Sequence, residues 1–295
     1  MNADCRVRSL VLDAPAKVNL YLRIVGKRPD GYHDIETLFH KLKLADNISI
    51  SLEGKEIGLR CHGIDLPDDD SNLACLAAKK FFSKTNIPPG VKMVLEKRIP
   101  VAAGLGGGSS DAAAVLLGLN RLHGFPLDHE NLVRTAARLG ADVPFFMEDW
   151  PAAWATGRGD VLAERPSLGN LWVLLVNPGF AVSTRWVYQN FTLTTPDNPY
   201  ILRPKQSEHN PYPYPSSPDS LLLYNDLESV TVKRFPELET IKKELLAGGA
   251  AGALMSGSGP TVFGIFTQQR LAAQMSNVLF SRYGKGVILT GLQGQ

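Results

Sequence analysis

The spacing of apolar residues changes several times along the chain, and each change marks an element. The run VNLYLRIV over 18–25 alternates with a period of two and is rich in β-branched residues, which predicts a strand. A weaker alternation over 9–14, an extended pattern over 36–44, the clean NISISL of 47–52 and a short run over 57–61 predict further strands. Arg28-Pro29-Asp30-Gly31 reads as a turn or loop among them. Several connections are too short for a crossover helix, so this opening is expected to be mostly antiparallel. The period then moves toward 3.6. Leu73, Leu76, Ala77 and Phe81 share one face of a helix over 72–84, capped by Asp70 or Ser71. A strand over 91–96 (VKMVLE) and helices over 109–122 and 128–139 follow.

A second block starts near Ala153. LWVLLV over 171–176 is continuously apolar, as a strand buried on both faces would be. A short helix through Tyr188 is expected to start at Ser183 or Thr184, with helices over 236–246 and 270–283 and strands over 261–266 and 287–289. Seven of the 20 prolines fall within 194–220, which reads as a surface loop or insertion without a chemical role.

Composition removes classes of function. With 295 residues the chain supports two domains or one large one. Lys and Arg number 31 against 29 Asp and Glu, a net charge of +2, so no basic field marks a nucleic-acid or membrane-surface binder. Cys5, Cys61 and Cys75 form neither a CxxC pair nor a disulfide framework, and the histidines lack metal-ligand spacing. No apolar run approaches a membrane span and the N-terminus lacks the apolar core of a signal peptide, so a cytoplasmic protein is expected.

The chain holds 27 glycines, and their densest cluster carries the first chemistry. Pro100-Val101-Ala102-Ala103-Gly104-Leu105-Gly106-Gly107-Gly108-Ser109-Ser110 follows a predicted strand and opens a predicted helix. Consecutive glycines let the backbone turn and approach a ligand closely. Amides at the helix start, aided by the helix dipole, form an anion site, and Ser109 and Ser110 add hydroxyl donors. The loop is no Walker A motif, because no lysine precedes Ser109, and it lacks the third glycine of a dinucleotide fingerprint.

This segment resembles the phosphate-binding motif of the GHMP kinases. Pro15-Ala16-Lys17-Val18-Asn19-Leu20 resembles their first motif and Ser256-Gly257-Ser258-Gly259-Pro260 their third. RPDGYHDIETLF (28–39) and LGADVPFF (139–146) are similar to the branch that acts on a cytidine-diphospho methylerythritol. The resemblance implies an α+β fold of two domains, 1–160 and 161–295, facing a deep cleft. It implies a kinase moving the γ-phosphoryl of ATP, with Mg²⁺, to the 2-hydroxyl of a small substrate carrying a cytidine diphosphate, as monomer or homodimer. Lys17 and Asp142 are the implied catalytic pair, with Asp142 either abstracting the proton or orienting the hydroxyl. The glycine loop binds ATP, with Asn72, Leu73 and Lys97 near the adenine. Asn19, Tyr32, His33, Thr184, Tyr188, Gly257, Ser258 and Gly259 form the substrate group, Trp186 competing with Tyr188 for a stacking role. Other readings are a GHMP kinase for mevalonate or homoserine, and a nucleotide-binding protein without catalysis.

Overall fold

The computed structural model describes residues 8–63, 66–69, 71–193 and 221–294. Its first sheet is built on two long strands, β1 (Ser9–Lys27) and β2 (His33–Ser51), paired antiparallel. Each joins two stretches that sequence periodicity separates. Register shifts between Pro15 and Lys17, Asn19 and Tyr21, and Ile24 and Gly26 absorb the breaks in alternation without ending the strand. β3 (Ile57–His62), α1 (Leu73–Thr85) and β4 (Val91–Glu96) form a crossover unit, so β3 and β4 are parallel, unlike the rest of this opening. β4 pairs with β2.

α2 (Gly107–Leu122) starts two residues before its predicted limit, because the glycines themselves enter the helix. Ala112, Ala113, Leu116 and Leu119 are buried with Phe81, Ile48 and Ile50 in the core between α1, α2 and the sheet. α3 (His129–Ala137) is capped by Asp128, whose carboxylate accepts the Asn131 amide at 2.8 Å. The segment after it, which reads as a turn, contains the short helix α4 (Val143–Met147), too brief to show a period. Periodicity also gives no sign of the hairpin β5 (Ala152–Thr156) and β6 (Val161–Arg165), which extends the first sheet from β2. The expected division at 160 falls in the turn of that hairpin.

The second sheet has the order β11 (Val287–Gly291), β7 (Trp172–Val176), β10 (Val262–Phe266), β9 (Gly252–Met255), all antiparallel. α7 (Glu237–Ala247) and α8 (Gln269–Tyr283) pack on it, after α5 (Thr184–Asn190), β8 (Tyr224–Asn225) and α6 (Glu228–Arg234). The β8, β9 and α6 segments are not evident from apolar spacing. β8 pairs in parallel with β1, so the second half of the chain adds a strand to the first sheet.

Val173 and Leu175 of β7 join Val18, Leu20, Leu38 and Leu105 in a core shared by both halves. Leu174 and Val176 face the opposite way, toward α7 and α8 residues. Burial on both faces is why this strand has no polar positions. The proline-rich stretch 194–220 lies outside the described residues.

Candidate active site

The glycine loop packs tightly against the second half of the chain. Gly104 has φ +77°, and a Cβ there would stand 2.1 Å from the Ser256 carbonyl oxygen. Gly106 caps α2 with φ +71°, and its missing side chain leaves room for the Lys17 stem and Phe146. The Ser110 amide donates to the Gly106 carbonyl and is the first intrahelical donor, so the amides of 107–109 before it have no intrahelical acceptor. They point out of the helix start, where a phosphate finds both donors and the dipole.

Lys17 lies beside this loop. Its amide donates to the Leu105 carbonyl at 2.9 Å, which ties β1 to the loop. Its side chain is 5% exposed and its Nζ donates to Asn19 Oδ1 at 2.7 Å and faces Asp142 Oδ2 at 3.3 Å, with the Phe39 ring 5.2 Å away. Two of three ammonium protons are thereby directed, leaving one for a ligand oxygen. Asn19 is fixed in turn: Nδ2 donates to Thr37 Oγ1 at 2.8 Å, and that hydroxyl donates to the Tyr21 carbonyl at 2.6 Å. Residues 17 and 19 share a face of β1 by strand alternation. Asp142 occupies the cap position of α4 without making a capping bond, so its one-third-exposed carboxylate faces lysine and cavity rather than the helix.

These groups line a cavity of about 1070 Å³. Of the site residues expected from sequence, all but Ser110 and Gly259 are in its wall. Ser110 is buried on the inner side of α2, its hydroxyl without a partner, so it is not placed as a cavity donor. Gly259 sits behind the wall, where a Cβ would stand 2.6 Å from Met255 Sδ. Asn72 caps α1, accepting the Ala74 amide at 3.0 Å, with Leu73 next to it. Thr184 Oγ1 and Ser258 Oγ are 2.8 Å apart, which closes the wall between α5 and the Gly257 turn. Tyr188, not Trp186, faces the cavity. Its ring lies against His33, centroids 5.3 Å apart at 36°, so those two rings touch and enclose no gap of stacking width between them. Burial and then the Asp142 charge raise the Tyr188 phenol above its ordinary value. Burial, then Lys27, lowers the His33 imidazole.

Lys97 lines the cavity and is also the centre of a buried cluster of charges. Its buried Nζ pairs with Asp46 Oδ2 at 2.5 Å and Asp111 Oδ2 at 2.9 Å. It would stand 3.2 Å from a Cβ on Gly107, directly under the phosphate loop. Asp46 Oδ1 also accepts the Ile99 amide at 2.9 Å. One cation against two carboxylates leaves the second short of compensation. Burial, with Asp46 adding to it and Lys97 opposing it, lifts Asp111 to about 7. For Lys97, burial acts downward but the two carboxylates outweigh it, and its pKa is raised. Asp111 directly follows the serine pair, a signal present in the motif but not assigned from it. Sequence reading also missed Lys27, Arg158, Arg185 and Gln189, which line the same cavity. For Arg158 the flanking glycines of Gly157-Arg158-Gly159-Asp160 were the available sign of a tight turn at a site.

Free helix-start amides, a lysine held against a carboxylate and exposed aromatic surface share one cavity, an arrangement suited to moving a phosphoryl group onto a small molecule. Two family models match: "GHMP kinases N terminal domain" over residues 72–149 and "GHMP kinases C terminal" over 217–286. A 4-diphosphocytidyl-2-C-methyl-D-erythritol kinase of Syntrophotalea carbinolica is 49% identical over 275 residues, 92% of this chain and 94% of that protein. The protein of the same name in Syntrophus aciditrophicus is 46% identical over 268 residues, covering 90% and 93%. A crystal structure of 4-(cytidine 5'-diphospho)-2C-methyl-D-erythritol kinase superposes with a TM-score of 0.79 at 34% identity, covering 97% of this chain and all of that one. Homoserine kinase from Cytophaga hutchinsonii, at 17% identity and a TM-score of 0.68 over 100% and 98% of the two chains, shares the fold. The chain belongs to the GHMP kinases and, within them, to the 4-diphosphocytidyl-2-C-methyl-D-erythritol kinase family. No helix among the described residues is long and apolar enough to cross a membrane.

Proposed function

We propose that this protein transfers the γ-phosphoryl of ATP to the 2-hydroxyl of 4-diphosphocytidyl-2-C-methyl-D-erythritol, a step of the non-mevalonate route to isoprenoid precursors. The observation that carries the reading is the Lys17–Asp142 pair at 3.3 Å, on the same cavity as the open amides of α2 and the aromatic wall. Phosphoryl transfer needs alignment and charge neutralisation more than covalent help. The amides of 107–109 hold the phosphates and the α2 dipole favours their charge. Lys17 offsets negative charge as it develops on the transferring group and holds the Asp142 carboxylate in position. The bond from the γ-phosphorus to the bridging oxygen breaks, a bond to the substrate hydroxyl oxygen forms, and the hydroxyl proton passes to Asp142 and then to solvent. Asp142 also accepts a hydrogen bond from that hydroxyl beforehand, which orients it for attack.

Tyr32, His33 and Tyr188 supply stacking surface and edge contacts for the cytosine, with Thr184 and Ser258 beside them. Asn72 and Leu73 border the adenine side, and Lys97 supports the loop from below. Mg²⁺ fits as an ion carried by the nucleotide, with phosphates and waters as most of its ligands. Among the described residues no group of three or more His, Cys, Asp or Glu is gathered to hold it. The test is ADP formation from ATP and Mg²⁺ with a panel of alcohols. Turnover on the cytidine-diphospho substrate alone is expected; turnover on mevalonate or homoserine instead would refute the assignment.

A further inference from the structure

The β5–β6 turn brings a fixed guanidinium to the aromatic wall. Gly157 (φ +67°) and Gly159 (φ +100°) close the turn on either side of Arg158. Arg158 Nη2 and Nε donate to Asp160 Oδ2 at 2.6 and 3.1 Å, and the Arg158 amide donates to Asp160 Oδ1 at 3.2 Å. The turn is tied to β2 by the Ile35 amide, which donates to the Gly157 carbonyl at 2.7 Å. So held, the guanidinium carbon stands 5.4 Å from the centroid of the Tyr32 ring. Tyr32 is 57% exposed and its turn is shaped by Asp30, whose carboxylate accepts the Tyr32 amide at 3.1 Å. Both side chains line the cavity.

An exposed tyrosine samples several rotamers, and freezing it on ligand binding costs free energy. A cation over one face selects one orientation before the ligand arrives and leaves the other face open. We infer that Arg158 is a positioning residue for base recognition: it holds the Tyr32 ring over the cavity so that the ring's open face receives the planar pyrimidine of the substrate. This rests on the functional reading above. Arg158 acts through Tyr32, and its salt bridge with Asp160 sets where the guanidinium can stand.

Steady-state kinetics on the cytidine-diphospho substrate, together with calorimetric binding of cytidine itself, test this. Arg158→Ala is expected to raise KM for that substrate about fivefold, with kcat and the KM for ATP unchanged. Cytidine, which has no phosphate, should be weakened by a similar factor. Asp160→Asn, which frees the guanidinium without deleting it, should give a smaller loss in the same direction. Arg158→Ala combined with Tyr32→Ala should bind no worse than Tyr32→Ala alone. Additive losses, an unchanged KM, or weakening confined to phosphate-bearing ligands would overturn the inference, the last by making Arg158 a direct phosphate contact. Absence of turnover in the unaltered enzyme would overturn the functional reading instead, while the cytidine comparison would still decide the role of Arg158.

Discussion

The carboxyl of Asp111 offers the sharpest test of the electrostatics beneath the phosphate loop. Its side chain is 4% exposed, shares Lys97 with Asp46, and keeps Oδ1 buried without a partner. Burial, the Asp46 charge and the incomplete help of Lys97 move it from its ordinary 3.8 to about 7. Between those values the folded state binds more protons than the unfolded one, so this group lowers stability as pH rises through the window, and the cost is complete above about pH 7. A displacement of that size corresponds to about 4 kcal/mol. Replacing a whole buried ion pair or triad by apolar residues is often stabilising by about 1–4 kcal/mol, and here the group removed is the triad's excess carboxylate, which leaves Lys97 paired with Asp46. Asp111→Asn keeps the shape and an acceptor for Lys97 but removes the charge. The quantity to measure is the stability difference between the Asp111→Asn variant and the unaltered protein, by urea midpoint, at several pH values. It should be near zero at about pH 4 and grow to about 1–4 kcal/mol in favour of the variant by about pH 8. A difference that does not change with pH, or a variant less stable at the alkaline end, would show that Asp111 is ionised at no cost and that the triad is fully compensated.

Three other outcomes follow from the same geometry. Asp142→Asn should lower kcat by about 10²–10⁴ while nucleotide binding persists, and a kcat close to that of the unaltered enzyme would remove Asp142 from proton transfer. Gly104→Ala forces a side chain into φ +77° and against the Ser256 carbonyl, so thermal unfolding should show a loss of at least about 2 kcal/mol; an unchanged midpoint would mean the loop yields freely. His40 is buried on β2, its Nδ1 2.8 Å from the Lys41 carbonyl and its Nε2 accepting the Leu168 amide, and burial pushes its pKa down to about 4. The unfolded state therefore binds the extra proton first, and stability should fall by up to about 3 kcal/mol as pH drops from about 6.5 to 4. This slope opposes that of Asp111 and should stand out in Asp111→Asn; its absence there would contradict a neutral, desolvated His40.

Much of the local structure was written in the order of residues. Alternation in 18–25 and 47–52, the helical spacing after Asn72 and the glycines before Ser109 are each explained by which face of one element is buried or how one turn must bend. The motif residues likewise carried the family resemblance, and through it the pairing of Lys17 with Asp142. Spacing alone did not reveal β5 and β6, because AAWAT is buried almost throughout and shows no alternation, nor α4, because five residues make little more than one turn. The resemblance set Lys97 near the adenine, and it does line the cavity; what no motif announced is that the register of β2 and the placement of α2 bring Asp46 and Asp111 onto its ammonium from two separate elements. The same holds for the Thr37 hydroxyl behind Asn19, for Ser110 turned into the core, and for Arg158 over Tyr32. Periodicity reports the burial of a face within an element. Which side chains meet depends on strand register, bulges and the docking of the two sheets through the core shared by Leu20, Leu105 and Val173, and those are decided only when the whole chain has packed.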